Sequence, residues 1–180
     1  GSRSKSWWDV AFAAGSIGAA FAQGLSLGTL VQGIEVQGRQ YAGGWWDWLS
    51  VFSVLTGLAV VVGYALLGAT WIVMKTEGSL QRQMQGHAWW LAAGTLGFIG
   101  IVSVLTPFQD PEYFNRWFNL PGSILSVLMP GAVLAAAWAL FTGLNAGKDN
   151  QPFLAAISLF VLCFVGIGIS FYPNIVPPSL

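Results

Sequence analysis

The sequence predicts an all-α, polytopic transmembrane bundle with five spanning helices. Three observations lead there. Of 180 residues, 55% are apolar and only 8% are charged, whereas a soluble domain carries about 25% charged residues. The charges are also confined to short clusters. They leave five charge-free stretches, at residues 10–34, 48–74, 83–109, 117–147 and 150–180, each long enough for the ~20 apolar residues that cross a bilayer core. Finally, runs such as Leu58-Ala-Val-Val-Val-Gly63 do not alternate, which excludes barrel strands. A helix closes all its backbone hydrogen bonds within one segment, so each stretch is read as a helix.

The spans are expected near 9–33, 47–74, 87–106, 120–144 and 151–172, within one transmembrane unit covering 1–180. In the first, Gly15, Gly18, Gly24, Gly28 and Gly33 form a dense small-residue pattern that lets helix backbones meet closely in lipid. The second is expected to start at Asp47 as its N-cap, and the fifth at Asp149, because a carboxylate accepts from the free first-turn N–H groups. Gly57, Gly63 and Gly68 recur in the second span and Gly94, Gly97 and Gly100 in the third. Pro121 suits a first-turn position of the fourth, and Pro130 is expected to kink it. The ten tryptophans cluster near the predicted ends, where an indole is half dry and its N–H finds a partner.

Orientation follows from the basic residues. Arg3, Lys5, Lys75, Arg82 and Lys148 fall on one side, Arg39 and Arg116 on the other. The excess marks the N-terminal side as cytoplasmic.

The chemistry of the spans is sparse. No predicted core holds Asp, Glu, Lys or Arg, although ion-translocating proteins place such groups at membrane depth. The polar residues inside, Gln23, Thr56, Tyr64, Thr70, Ser103, Ser126 and Ser158, are expected to bond a neighbouring helix or their own backbone. His87, the single histidine, reads as a boundary residue rather than a haem ligand, and Met74, Met84 and Met129 have no helical pairing with it. Cys163 has no disulfide partner and reads as packing. Neither a phosphate loop nor a nucleophile–base pair nor metal-ligand spacing is present. Zero net charge removes the case for a nucleic-acid partner. No catalytic, cofactor-binding or metal-ligating residue is therefore assigned. Two groups remain as partner or lipid contacts. Trp45, Trp46 and Asp47 are expected at the outer boundary, and Lys75, Glu77 and Arg82 in a cytoplasmic turn that could meet lipid headgroups.

Several segments resemble a known family. Leu27-Gly-Thr-Leu-Val-Gln-Gly33, the aromatic run Tyr41-Ala-Gly-Gly-Trp-Trp-Asp-Trp48, the helix carrying Phe52-Ser-Val-Leu-Thr-Gly-Leu58 and Tyr64-Ala-Leu-Leu-Gly-Ala-Thr-Trp71, the exit Met74-Lys-Thr-Glu-Gly78, and Phe171-Tyr-Pro-Asn-Ile-Val-Pro-Pro-Ser179 occur in the order seen in subunit II of bacterial cytochrome bd-type quinol oxidases. The aromatic run is similar to the cyanide-insensitive branch. The resemblance implies a fragment covering the fourth to eighth helices of a nine-helix subunit in the bacterial inner (plasma) membrane. It implies a complex that oxidises quinol and reduces dioxygen to water. Haem b, haem d and the quinol site would belong to the partner subunit I, which this chain would stabilise as a heterodimer, binding no haem itself. It leaves room for a structural quinone or lipid. The family's acidic residue linked to proton entry lies ahead of the matched region, so no catalytic residue is carried over. The competing readings are a fragment of a secondary transporter, which needs broken helices around a polar midplane site, and a plain membrane anchor.

Overall fold

The computed structural model describes residues 2–33, 36–37, 40–41, 43–108 and 122–171, with side chains described over 5–33, 43–108 and 128–169. Five long helices dominate: α1 (Ser2–Gln32), α2 (Val51–Lys75), α3 (Ser79–Leu105), α4 (Gly122–Asn145) and α5 (Gln151–Phe171). All five contain stretches long and apolar enough to cross a membrane. At 1.5 Å per residue the 25-residue α2 is about 37 Å long and clears a ~30 Å hydrocarbon layer. A 3₁₀ turn, Thr106–Phe108, extends α3. Between α1 and α2 a two-residue antiparallel ladder, β1 (Val36–Gln37) and β2 (Gln40–Tyr41), pairs Val36 with Tyr41 and Gln37 with Gln40.

The helices run alternately up and down. α2 is the hub, packing against α1, α3 and α5, while α3 meets α4 and α4 lies along α5. The main core joins Leu66 and Ala69 of α2, Ala88 and Ala92 of α3, Leu140 and Leu144 of α4, and Ala155, Ala156 and Leu159 of α5. Leucines from three helices thus fill space left by alanines, which lets the helices approach closely. A smaller cluster at the opposite end packs Val31 and Phe52 against Val102 and Leu105.

The α1–α2 seam is built differently. Ala20, Gly24, Gly28 and Val31 line the buried stripe of α1. A Cβ placed on Gly24 would sit 2.6 Å from Gly57 Cα and 2.7 Å from Thr56 O, and one on Gly28 would sit 2.5 Å from Ser53 Cα. A Cβ on Gly57 would meet the Phe21 ring at 2.7 Å. Two backbones therefore touch where each helix offers small residues four apart, the close crossing that substitutes for a hydrophobic drive in lipid. Gly63 makes a similar groove for Phe160 of α5. Gly15, Gly18, Gly68, Gly97 and Gly100 meet nothing within 4 Å, so the expectation of burial holds for only part of the glycine pattern.

Most helix ends differ from the expected ones by a few residues, and two differ by more. α1 begins at Ser2 and α3 at Ser79, each about two turns before the apolar run. Hydropathy marks where the bilayer begins, not where a helix does. Asp47 does not cap α2. Ser50 does, in a reciprocal box with Ser53: each backbone N–H donates to the other's hydroxyl at 2.9 Å. Asp149 does not cap α5 either, since the Asn150 carbonyl accepts the first helical bond, from Leu154 N at 3.1 Å. Pro130 sits inside an uninterrupted α4. Pro121, Arg39, Arg116 and Trp117 lie outside the described residues.

Candidate functional site

The residues singled out from the sequence fall at opposite ends of the bundle. At one end a tight turn holds Trp45, Trp46 and Asp47. Asp47 Oδ2 accepts from Gly44 N at 2.5 Å, so its carboxylate closes its own turn. Trp48 Nε1 donates to Trp45 O at 2.8 Å and the Trp48 ring stacks on Trp46 with centroids 6.1 Å apart. These bonds leave Trp45 (93% exposed) and Trp46 (71%) projecting outward. Beside them lies a polar knot that the sequence did not reveal. Ser53 Oγ donates to Trp48 O at 2.7 Å, Thr29 Oγ1 reaches the same carbonyl at 3.3 Å, and Ser50 Oγ bonds Gln32 Oε1. The end of α1 is thereby tied to the start of α2.

At the other end Lys75, Glu77 and Arg82 are exposed around the α2–α3 turn. Lys75 Nζ lies 5.0 Å from the centroid of the Trp71 ring, a cation–π contact within its own helix. The turn itself uses Gly78 at φ 76°, a conformation that costs other residues a steric penalty. Nearby, the α4–α5 turn is a Schellman closure. Lys148 N donates to Gly143 O at 2.9 Å and Gly147 N to Leu144 O at 3.2 Å, with Gly147 at φ 65°. Gln81 joins the two turns. Its Nε2 donates to Val73 O at 3.0 Å, near the end of α2, and to Asp149 Oδ1 at 2.7 Å. Local sequence marks Asp149 as a cap and singles out nothing at Gln81; only the tertiary arrangement brings the pair together.

Aromatic side chains gather toward this same end. Trp71 meets Phe153 at 5.0 Å, and Trp89 meets both Trp90 at 5.0 Å and Phe141 at 5.4 Å. Such rings suit the headgroup boundary.

Between the ends, the polar groups are turned inward on the helices themselves. Thr56, Thr70 and Ser158 donate to carbonyls four residues back, at 2.9, 2.8 and 2.9 Å. Tyr64 Oη donates to Gln23 Oε1 at 2.7 Å, a bond between α2 and α1. His87 is exposed two turns inside α3, its Nδ1 2.9 Å from Gln83 O. A haem needs an axial imidazole, thiolate or thioether aimed into a cavity. Among the described residues no three His, Cys, Asp or Glu side chains cluster.

The sequence model of the family described as cytochrome bd terminal oxidase subunit II matches residues 1–180, the whole chain. The chain belongs to that family. It is thus a multi-pass membrane protein and a subunit of a respiratory quinol oxidase, a component of an oxidoreductase rather than a soluble enzyme. No curated protein matches it. In this bd oxidase subunit the backbone-to-backbone crossing joins α1 to α2, and the Gln81–Asp149 bond joins the start of α3 to the α4–α5 turn.

Proposed function

We propose that this chain is the supporting subunit of the oxidase. It packs against the haem-bearing subunit I in the bacterial inner membrane, stabilises it, and contributes no ligand to haem b or haem d. Quinol oxidation and dioxygen reduction then take place in the partner, and this chain carries no catalytic residue. Its N-terminal side faces the cytoplasm, so the α2–α3 and α4–α5 turns lie on that face and the Trp45–Asp47 turn on the other. Residues 1–180 act as one transmembrane unit. Trp45, Trp46 and Asp47 serve as contacts to subunit I or lipid, and Lys75, Glu77 and Arg82 meet headgroups.

The observation that carries this reading is the chemistry of the spans. All fourteen Lys, Arg, Asp and Glu residues lie outside the five charge-free stretches, whereas proton or ion relays need such groups at membrane depth. Among the described residues the Thr56, Thr70 and Ser158 hydroxyls there donate to carbonyls of their own helices, and that of Tyr64 donates to Gln23 of α1.

Affinity purification through this chain tests the proposal. Haem b and haem d absorbance should copurify with it and leave with the partner when the two are separated. Iron porphyrin retained by the isolated chain, or solute uptake by vesicles containing it alone, would overturn the reading.

A further inference from the structure

The α4–α5 seam carries an open groove of about 750 Å³. Below its mouth it is lined by short side chains, Ala136 and Ala139 from α4 and Ala155 from α5, together with Leu154 and Ser158. Ala155 is buried, while Leu154 and Ser158 are exposed. The mouth is polar, formed by Lys148, Asp149, Asn150 and Gln151 of the turn. From Gln151 to Ser158 the groove descends about 10 Å along α5. It therefore starts at the membrane boundary and ends among hydrocarbon, with polarity falling along its length.

Two details define what fits the mouth. Gln81 holds one oxygen of Asp149 at 2.7 Å and fixes that carboxylate in place. Gln151 Nε2 is spent on Ala139 O at 2.8 Å and Thr142 Oγ1 at 3.2 Å. Lys148 has no ion pair or side-chain hydrogen bond among the described residues and lies exposed at the rim. The mouth thus offers one unpaired cation and one fixed carboxylate on adjacent residues, above an apolar trough. A bilayer does not leave such a trough empty, because the lining atoms would lose their dispersion partners.

We propose that this groove holds an amine-bearing glycerophospholipid, with its phosphate at Lys148, its ammonium toward Asp149 and an acyl chain along Ala136, Ala139 and Leu154. The zwitterionic headgroup complements both charges, and a chain of methylenes matches the lining below the mouth. The inference depends on the chain spanning a bilayer and not on its role in electron transfer.

Native mass spectrometry of the detergent-extracted complex tests it. Wild type should retain phosphatidylethanolamine in preference to phosphatidylglycerol. Lys148→Gln should lower that retention about fivefold, the weight of one lysine near a phosphate. Ser158→Phe alters an exposed residue at the deep end of the groove and should lower retention with no change in helix content by circular dichroism. Lys5→Gln, at the same boundary on α1, should leave it unchanged. Equal retention in all variants, a quinone recovered in place of phospholipid, or a partner segment crosslinked into the groove would each overturn the proposal.

Discussion

At Gly24 and Gly28 the α1–α2 seam sets main chain against main chain, whereas within the α2–α5 core the contacts are between side chains. Gly24 faces the backbone of Thr56 and Gly57, and Gly28 faces Ser53. In the core, Leu66, Leu140 and Leu159 are fully buried against alanines of neighbouring helices. Both arrangements bring helices together without an aqueous hydrophobic effect, but they respond differently to change. A side chain in the core can shift a rotamer to admit a neighbour. A backbone at a glycine crossing cannot move without moving its helix. The same contrast runs along α1. Its second half is bound to α2, while residues 5–19 are exposed throughout, with Trp7 at 76% and Phe12 at 79%.

The largest effect should come from breaking the seam. Gly24→Leu should destabilise the folded subunit by about 3 kcal/mol, the upper part of the usual range for overpacking, and abolish an α1–α2 disulfide crosslink engineered beside the crossing. Gly18→Leu, with nothing within 4 Å, should be neutral or slightly stabilising through helix propensity. If the two variants melt alike in detergent, the seam is not a main-chain contact. Leu140→Ala tests the core and should cost about 2 kcal/mol, the low end of the range for an emptied leucine site, because lipid is as apolar as the core. Differential scanning fluorimetry ranks it against Gly24→Leu.

Smaller changes separate the polar ties. Ser50→Ala removes the hydroxyl half of the capping box and the bond to Gln32 and should cost about 1 kcal/mol. Asp47→Ala should loosen the Gly44–Asp47 turn. It should cost less than Ser50→Ala and leave the start of α2 unchanged by hydrogen exchange. A loss of complex assembly in Asp47→Ala would instead reveal a contact to a partner. Tyr64→Phe deletes the bond to Gln23 and should cost about 0.6 kcal/mol, the mean for a hydrogen bond between membrane helices. An effect several times larger would mean that this bond, and not the glycine crossing, holds α1.

Much of the architecture was legible before any coordinates. The charge-free stretches bounded by Asp9, Glu35, Asp47, Lys75, Arg82, Asp110, Arg116, Lys148 and Asp149 located all five helices, because charge is costly in hydrocarbon wherever the neighbouring helices stand. The helix starts were less legible. Gln81, Arg82, Gln83 and Gln85 are polar yet good helix formers, so α3 continues beyond the apolar run that announces it. Asp47 and Ser50 are both good caps, and the choice went to Ser50, which also meets Gln32 and Ser53.

The candidate sites divide along the same line. Trp45, Trp46 and Lys75 lie at the ends of the bundle, as their amphipathic side chains demand. The Gln81–Asp149 bond joins residues 68 positions apart, a pairing that local pattern does not carry. The sequence by itself determined which residues lie at membrane depth, since that depends on the free energy of each side chain in lipid. Only the tertiary structure decided which glycines are used. Gly24 and Gly28 face α2 while Gly15 and Gly18 do not. That outcome depends on the rotation of one helix against another, which is set by the fit of two surfaces and not by the composition of either.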